Sequence, residues 1–419
     1  MLLQKAANER LHLHQMDVKG AYLNAPIDKD IYVQQPQGYE HTDEDGTYLT
    51  CHLNKSLYGL KQSGRNWHST LTDFLKSRGY EPNVSDPCIY TYNDAHGDQT
   101  VILFWVDDII IGSNKPDLIE TTKQMLNKQF KMDDRGELKW FLGIDFKQLK
   151  EGQFQINQTR YTEKILERFG MTDCNPVTTP ADKNVNNDKD LPTATDEITF
   201  PYCQAIGSLI YLMVATRPDI SWIVSKLSQN LDNPGPQHIA AVKRLLRYLK
   251  GTKDYAITYS PTTGELSGYV DSDWAGDTTD RRSTTGYIFT LGGAPVSWKS
   301  RKQPTVALSS CEAEYMALTD ATKEMLYLRS LSNSINLVQP NHSTIYCDNQ
   351  GAIALTKATA SKHNRTKHID VRYHFVREQT NIQYLHIDTN SNLADVLTKP
   401  LGKTQHNNAI KLLQIAGAC

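Results

Sequence analysis

The spacing of apolar residues changes along the chain, and each change marks an element. In QHIAAVKRLLRYLKG (237–251), Val242, Leu245, Leu246 and Leu249 recur at steps of three and four. That is one stripe of a 3.6-residue period, so the spacing predicts a helix that buries this stripe and stops at Gly251. SGRNWHSTLTDFLKSRG (63–79) and DLIETTKQMLNKQF (117–130) read as helices too. Short runs rich in β-branched and aromatic residues read as strands: QMDVKGAYLN (15–24), IYVQQ (31–35), CIYTY (88–92) and VILFWVDDIIIG (101–112).

The stretch ADKNVNNDKDLPTATDEITF (181–200) has no apolar period until its last residues and reads as a surface loop or linker. Helical patterns dominate from 201 to 250. Strands return at ELSGYVDSDW (265–274) and GYIFTLGG (286–293), and LGGAP marks a hairpin turn before VSWKS. A long helix is expected from about Ser310, then the strand STIYC, a helix from Gly351, the strand IQYLHI and a short helix, NLADVLTK, that ends at Pro400. This order predicts a compact α/β domain.

The 419 residues are enough for two to three domains with separate cores. With 39% hydrophobic and 22% charged residues the chain reads as globular. Its apolar runs all fall short of the roughly 18 residues that span a bilayer. MLLQKAANER is too short and polar for a signal peptide, so an intracellular location without a membrane partner is expected. Seven scattered cysteines without a CxxC pair fit reduced thiols rather than zinc knuckles. The net charge of −2 gives no global attraction to a polyanion, so any nucleic-acid surface must be a local patch. Lys243, Arg244, Arg247 and Lys250, off the stripe of their helix, are either such a patch or a solvated face.

Asp107 and Asp108 stand between FWV and III. A carboxylate there is costly unless it is paired. Successive strand residues face opposite sides, so adjacent acids converge only where the chain turns. A tight hairpin with both acids at its tip is expected. Asp17, after Leu11, Leu13 and Gln15, offers a third acid from a neighbouring strand. Magnesium takes such oxygen donors and keeps positions free for phosphates. An Asp-Asp pair alone reads more simply as a turn.

What changes that balance is a set of distant segments in one order: LHQMDVKGAYLNAPIDKDIYVQQPQGYE, LYGLKQSGRNWH, SDPCIYTY, FWVDDIIIGS and ELKWFLGIDF. Together they resemble the reverse transcriptase of copia-type retrotransposons. The resemblance implies a palm whose metal-binding aspartates are Asp17, Asp107 and Asp108. It implies that Tyr22 is the aromatic gate under the sugar of the incoming nucleotide. Tyr58, Gly59 and Lys61 match the loop at the templating base pair, and Trp140, Phe141, Leu142 and Gly143 match the primer grip. Trp105 departs from the tyrosine usual before Val-Asp-Asp. The family carries a fingers subdomain upstream of the position of Leu11, so a polymerase half impaired by missing fingers is expected.

A second acid set lies further on. Ser309 and Glu312 fit a capping box at the start of SSCEAEYMAL. Glu314 shares a helix face with Leu318, Ala321, Met325 and Leu328, so it opens the buried side. Asp271, Asp348 and Asp395 each sit at an element boundary, where a lone acid is ordinarily a cap. GYVDSDWAGD, RRSTTGYIF, VSWKSRKQPTVALSSCEAEYMAL, IYCDNQGAI, TKHIDVRYHFVRE and NLADVLTKPL resemble the ribonuclease H domain of the same elements. The resemblance implies a ligand set of Asp271, Glu314, Asp348 and Asp395, with Asp273 as the alternative to Asp271. Between Lys357 and Arg377 there are six basic residues and one acid, Asp370. Arg365, Lys367 and Arg372 in this stretch are expected either to touch a hybrid backbone or to form a solvated face. Zinc is not expected at His363, His368 and His374, given their spacing.

The resulting expectation is an α+β chain: a truncated palm over 1–180, a linker and thumb-like helical region over 181–262, a ribonuclease H-like α/β domain over 263–403 and a tail over 404–419. As a copia-type Pol fragment it would copy RNA into DNA and degrade the RNA of the hybrid. Each site would use two Mg2+ ions, with Mn2+ as a substitute. RNA template, DNA primer, RNA–DNA hybrid and deoxynucleoside triphosphates would be its partners, with other retrotransposon proteins, in a cytoplasmic particle and the nucleus. The alternative is a non-catalytic relic or host-recruited nucleic-acid-binding module.

Overall fold

The computed structural model describes residues 1–182, 200–337, 340–357 and 370–417. They form two compact units, Glu9–Leu138 and a larger one of Met1–Asn8 with Lys139–Cys419.

In the smaller unit six strands form one antiparallel sheet, in the order Glu81–Pro82, Ile89–Asn93, Gln99–Trp105, Asp108–Ser113, His12–Val18, Met132–Glu137. Alternation sets the faces. Met16, Val18, Ile102, Phe104, Ile109 and Ile111 share one core with Trp67 and Leu71 of helix Ser63–Ser77 and with Ile119 and Leu126 of helix Pro116–Gln129. Each fully buried Ile or Leu contributes about 1.5–3 kcal/mol, which is what binds the helices to this face. Asp17 and Asp108 take alternating positions and stand on the other face.

The hairpin tip lies one residue earlier than expected. Trp105 pairs with Asp108, so the two-residue loop is Val106–Asp107, and Asp108 begins its strand. The ladder runs on to Asp108 because it also pairs with Asp17. Val106 takes up the turn with φ 54°, a conformation that strains a β-branched residue. Two bonds hold the tip there. The Trp67 indole donates to Val106 O (2.7 Å), and Val18 N–H donates to Asp107 O (2.7 Å).

The larger unit contains an antiparallel sheet in the order Ile415–Gly417, Tyr255–Tyr259, Phe154–Asn157, Ile144–Gln148, Trp140–Phe141. Helices Thr159–Arg168, Tyr202–Ala215, Ser221–Leu227 and Pro236–Gly251 share a core, in which Val242, Leu245, Leu246 and Leu249 are fully buried as their spacing predicts. Off that stripe, Arg247 donates to Asn175 O and Arg244 to Thr179 Oγ1, so both hold their own chain. The chain divides at Leu138–Lys139 rather than near 180. The reason is that Phe154–Asn157 pairs with Tyr255–Tyr259, and Ile165 and Leu166 enter the helical core. Residues 404–419, expected as a tail, carry most of helix Lys403–Leu412 and the strand Ile415–Gly417, and bury Ile410, Leu413 and Ile415.

A third sheet carries the second acid set. Its order is Ala294–Lys302, Thr284–Leu291, Leu266–Ser272, Ser343–Cys347, Ile382–His386. The first three strands are antiparallel, and the last two run parallel to Leu266–Ser272. Helix Ser310–Ser334 packs on it through Leu318, Ala321, Met325 and Leu328, all buried. This is an α/β arrangement, and the chain as a whole is α+β.

Candidate active sites

Parallel neighbours end on the same side of a sheet, so the ends of Leu266–Ser272 and Ser343–Cys347 bring Asp271 and Asp348 to one edge. Asp395 reaches that edge from the short helical turn Leu393–Leu397, and Glu314 from the start of helix Ser310–Ser334. Carboxylate oxygens of Asp271, Asp348 and Asp395 lie within 4.8 Å of one another. Glu314 meets Asp348 and Cys347 within the same limit. Asp271, Glu314 and Asp395 are 4%, 5% and 7% exposed, so little water screens their repulsion.

The charges respond accordingly. Burial first, then Asp271 and Asp348, push Glu314 up to about 9. Burial and then Asp271 push Asp395 up to about 7, against the pull of Lys399. Burial and Glu314 drive the Cys347 thiol far above its ordinary value, so it keeps its proton. Neutral donors fix the carboxylates: Ser272 N–H to Glu314 Oε1 (3.2 Å), Thr389 Oγ1 to Asp348 Oδ2 (2.9 Å) and the Thr398 hydroxyl to Asp271. At the start of the helix, Ser309 accepts from Glu312 N–H, and Glu312 accepts from Leu308 N–H.

Gly286, opposite Asp271 in the ladder, is what lets the Asp395 turn approach. A Cβ there would lie 2.6 Å from Thr398 Cγ2 and 2.9 Å from Leu397 Cβ. Asp273 does not join the group. It lies past the strand end, accepts from Thr284 N–H and lines a separate polar cleft with Lys226, Asp277 and Lys302. The geometry therefore favours Asp271 over Asp273. Thr389, Thr398 and Lys399 are absent from the residues singled out by sequence. The one available signal was Lys399, four residues after Asp395 in a helical turn.

In the smaller unit Asp17 and Asp108 are direct cross-strand partners. Asp107, at the tip, accepts from Tyr58 OH (2.8 Å) through Oδ2, while its Oδ1 is buried without a hydrogen bond. Asp17, Asp107 and Asp108 do not converge as the second acid set does. Arg135, another residue not foreseen, places Nη2 3.0 Å from Asp17 Oδ1 and Nη1 3.9 Å from Asp108 Oδ1. Gln15 donates to Asp108 (3.3 Å), yet burial leads in raising the affinity of Asp108 for its proton. The Tyr22 and Tyr58 rings pack at 4.5 Å between centroids. Burial and Asp107 push the Tyr58 phenol up to about 12. Gly59 has φ 98°, which suits its place in the loop, and Lys61 is exposed.

Trp140, Phe141, Leu142 and Gly143 form a tight hairpin in the larger unit. Phe141 pairs with Ile144, Leu142 and Gly143 take positive φ, and the Tyr211 hydroxyl donates to Leu142 O. Arg160 lies over the Trp140 ring and pairs with Asp145 (3.2 Å). Arg365 and Lys367 lie outside the described residues. Arg372 falls in helix Asp370–Arg377, but its side chain also lies outside the description.

A family model described as reverse transcriptase (RNA-dependent DNA polymerase) matches residues 1–183. The chain is 41% identical to a retrovirus-related Pol polyprotein from transposon TNT 1-94 of Nicotiana tabacum, over 95% of this chain and 30% of that one. It is 31% identical to a transposon Ty5-1 protein of Saccharomyces cerevisiae, over 74% of this chain and 100% of that one. The chain thus spans about 30% of the length of the curated transposon polyproteins it matches. Its fold is similar to the foamy viral protease-reverse transcriptase dRH in complex with dsDNA, with a TM-score of 0.51 at 13% identity over 90% of this chain and 57% of that one.

Proposed function

The chain belongs to the copia-type, retrovirus-related Pol family of transposons, and from that premise we propose two activities for it. Its third sheet cleaves the RNA strand of an RNA–DNA hybrid, and its palm serves RNA-directed DNA synthesis from deoxynucleoside triphosphates on a primed template. The observation that carries the nuclease reading is the meeting of Asp271, Asp348 and Asp395 at one sheet edge, with Glu314 joined to them through Asp348.

Asp271, Glu314, Asp348 and Asp395 are the residues that would hold Mg2+. The fit rests on the donors. All four are hard oxygens, the neighbouring thiol of Cys347 stays protonated, and the proton affinity of Glu314 and Asp395 is raised by burial first and then by neighbouring carboxylates, both of which a bound cation offsets. Bound divalent ions supply charge neutralisation for an in-line displacement at phosphorus. The chain's own part is orientation. Thr398 and Ser272 aim Asp271 and Glu314, Thr389 aims Asp348, and Gly286 lets Asp395 close the set. In the palm Asp17, Asp107 and Asp108 would hold the metal, and the orphaned Asp107 Oδ1 is a donor that fits it. Tyr22, packed on Tyr58, would bar a 2′-hydroxyl.

The test uses the full chain with a labelled hybrid, in Mg2+ and in Mn2+. Asp348→Asn is expected to keep the fold and lose cleavage, because a neutral amide is a poor ligand for a hard cation. Cleavage at the wild-type rate in that variant would remove Asp348 from the site. Arg135 against Asp17 and Asp108 favours a second reading for the palm, a surface that binds nucleic acid without synthesis. Primer extension that Asp108→Asn abolishes would rule that reading out.

A further inference from the structure

Asp271 and Asp395 are two buried carboxylates in one small space, yet the fold holds them together. The group between them is Lys399. Its Nζ lies 2.8 Å from Asp395 Oδ1 and 3.5 Å from Asp271 Oδ2. The two acid side chains are 5% and 11% exposed, while the lysine is 39% exposed. Its ammonium therefore reaches inward from a stem that opens to solvent.

We propose that Lys399 is the resident cation of the nuclease site, a positioning residue that holds Asp271 and Asp395 together until a divalent ion displaces it, and so sets how tightly that ion binds. The inference rests on the nuclease reading above. Three features carry it. First, Lys399 touches two of the three carboxylates whose oxygens come within 4.8 Å, so its ammonium and a cation shared by those acids compete for the same oxygens. Second, the backbone that bears it is fixed. Leu397 and Thr398 are buried, the Lys399 N–H donates to Asp395 O, and Thr398 bonds to Asp271. Displacement is thereby confined to the four-carbon stem. Third, lysine suits an exchange. Its ammonium is a compact, strongly hydrated charge on a flexible chain, whereas an arginine fork would bind the carboxylates bidentately and yield less readily. Burial opposes its charge, but Asp271 and Asp395 outweigh burial and keep it protonated.

A lysine that only supports the fold predicts that its loss weakens everything. A resident cation predicts opposite signs. Lys399→Met should lower the melting temperature of the metal-free protein, because two buried acids lose their partner. The same change should tighten Mn2+ binding about tenfold, because the competitor is gone. Mn2+ affinity would be read by electron paramagnetic resonance on the full chain, in an Asp108→Asn background that removes a palm ligand. Lys399→Arg, which keeps the charge, should bind Mn2+ no more tightly than wild type. Asp395→Asn should bind it more weakly. Unchanged or weaker Mn2+ affinity in a folded Lys399→Met protein would overturn the inference, even if hybrid cleavage is observed. Tighter binding in a chain that cleaves no hybrid would uphold it and sink the nuclease reading instead.

Discussion

Replacing Glu314 by glutamine should stabilise the metal-free protein at neutral pH, against the usual effect of changing a buried residue. Glu314 has an ordinary value of 4.5 and is raised to about 9 in the folded chain by burial, Asp271 and Asp348. Below pH 4.5 it is protonated in both states and the penalty is nil. As pH rises, the unfolded chain releases the proton while the folded chain keeps it, so stability falls with pH until about 9. At pH 7 the loss covers two and a half pH units at about 1.4 kcal/mol each, or about 3 kcal/mol. Glutamine has nearly the same shape and escapes that loss. Its larger unit should melt on the order of 5 °C higher in EDTA at pH 7. Saturating Mg2+ should reverse the order, since the wild type gains about 4.1 kcal/mol at a thousandfold excess over Kd and the amide is a poor ligand. The assay is thermal unfolding of both proteins from pH 5 to 9, with EDTA and with Mg2+. A wild-type transition that does not move with pH in EDTA, or a glutamine variant that melts lower there, would refute the reasoning.

Three other outcomes are expected. Gly286→Ala should push the Asp395 turn off its strand, leaving the sheet folded by circular dichroism while Mg2+-dependent stabilisation is lost. Val106→Asn should relieve the positive φ at the hairpin tip and stabilise the smaller unit by about 1 kcal/mol in urea titration; a lower midpoint would mean that the valine is not strained there. Neutralising Arg365, Lys367 and Arg372 together should flatten the slope of log hybrid affinity against log salt, with little change in sequence preference, and an unaltered slope would leave that segment a solvated face.

Where burial is decided by neighbours a few residues away, the sequence was legible. The stripe of helix Pro236–Gly251, the Glu314 face and the hairpin around Asp107 all follow from local period. The hairpin was misplaced by one residue because its register depends on Asp17, ninety residues upstream. Asp271 and Asp273 share a strand face in sequence and separate only because the strand ends at Ser272. Arg135 carries no signal of its own and Lys399 only its four-residue spacing from Asp395, since a basic residue near an acid is ordinary until the fold shows what else lies beside it. Arg217 and Asp219 show the limit most plainly. Fully buried and paired at 2.7 Å, with Tyr248 donating to the same carboxylate, they form an ion pair that the helical pattern of 201–250 does not announce.

The strand Ile415–Gly417 closes the edge of Tyr255–Tyr259, and Gln4 at the other end of the chain donates to Ser260 O. During synthesis this imposes an order. The Glu9–Leu138 unit has all its strands once residue 138 has left the ribosome. The larger unit, which also contains Met1–Asn8, must wait for roughly 280 further residues, which at about 5–20 residues per second is on the order of 15–60 s. Once Tyr255–Tyr259 is made, one of its edges lacks its final partner until Ile415–Gly417 follows, and an open strand edge is a template for other chains. The nascent chain is thus exposed to misassembly between those two points of synthesis, and a chaperone that shields the strand until Ile415–Gly417 arrives would raise its yield.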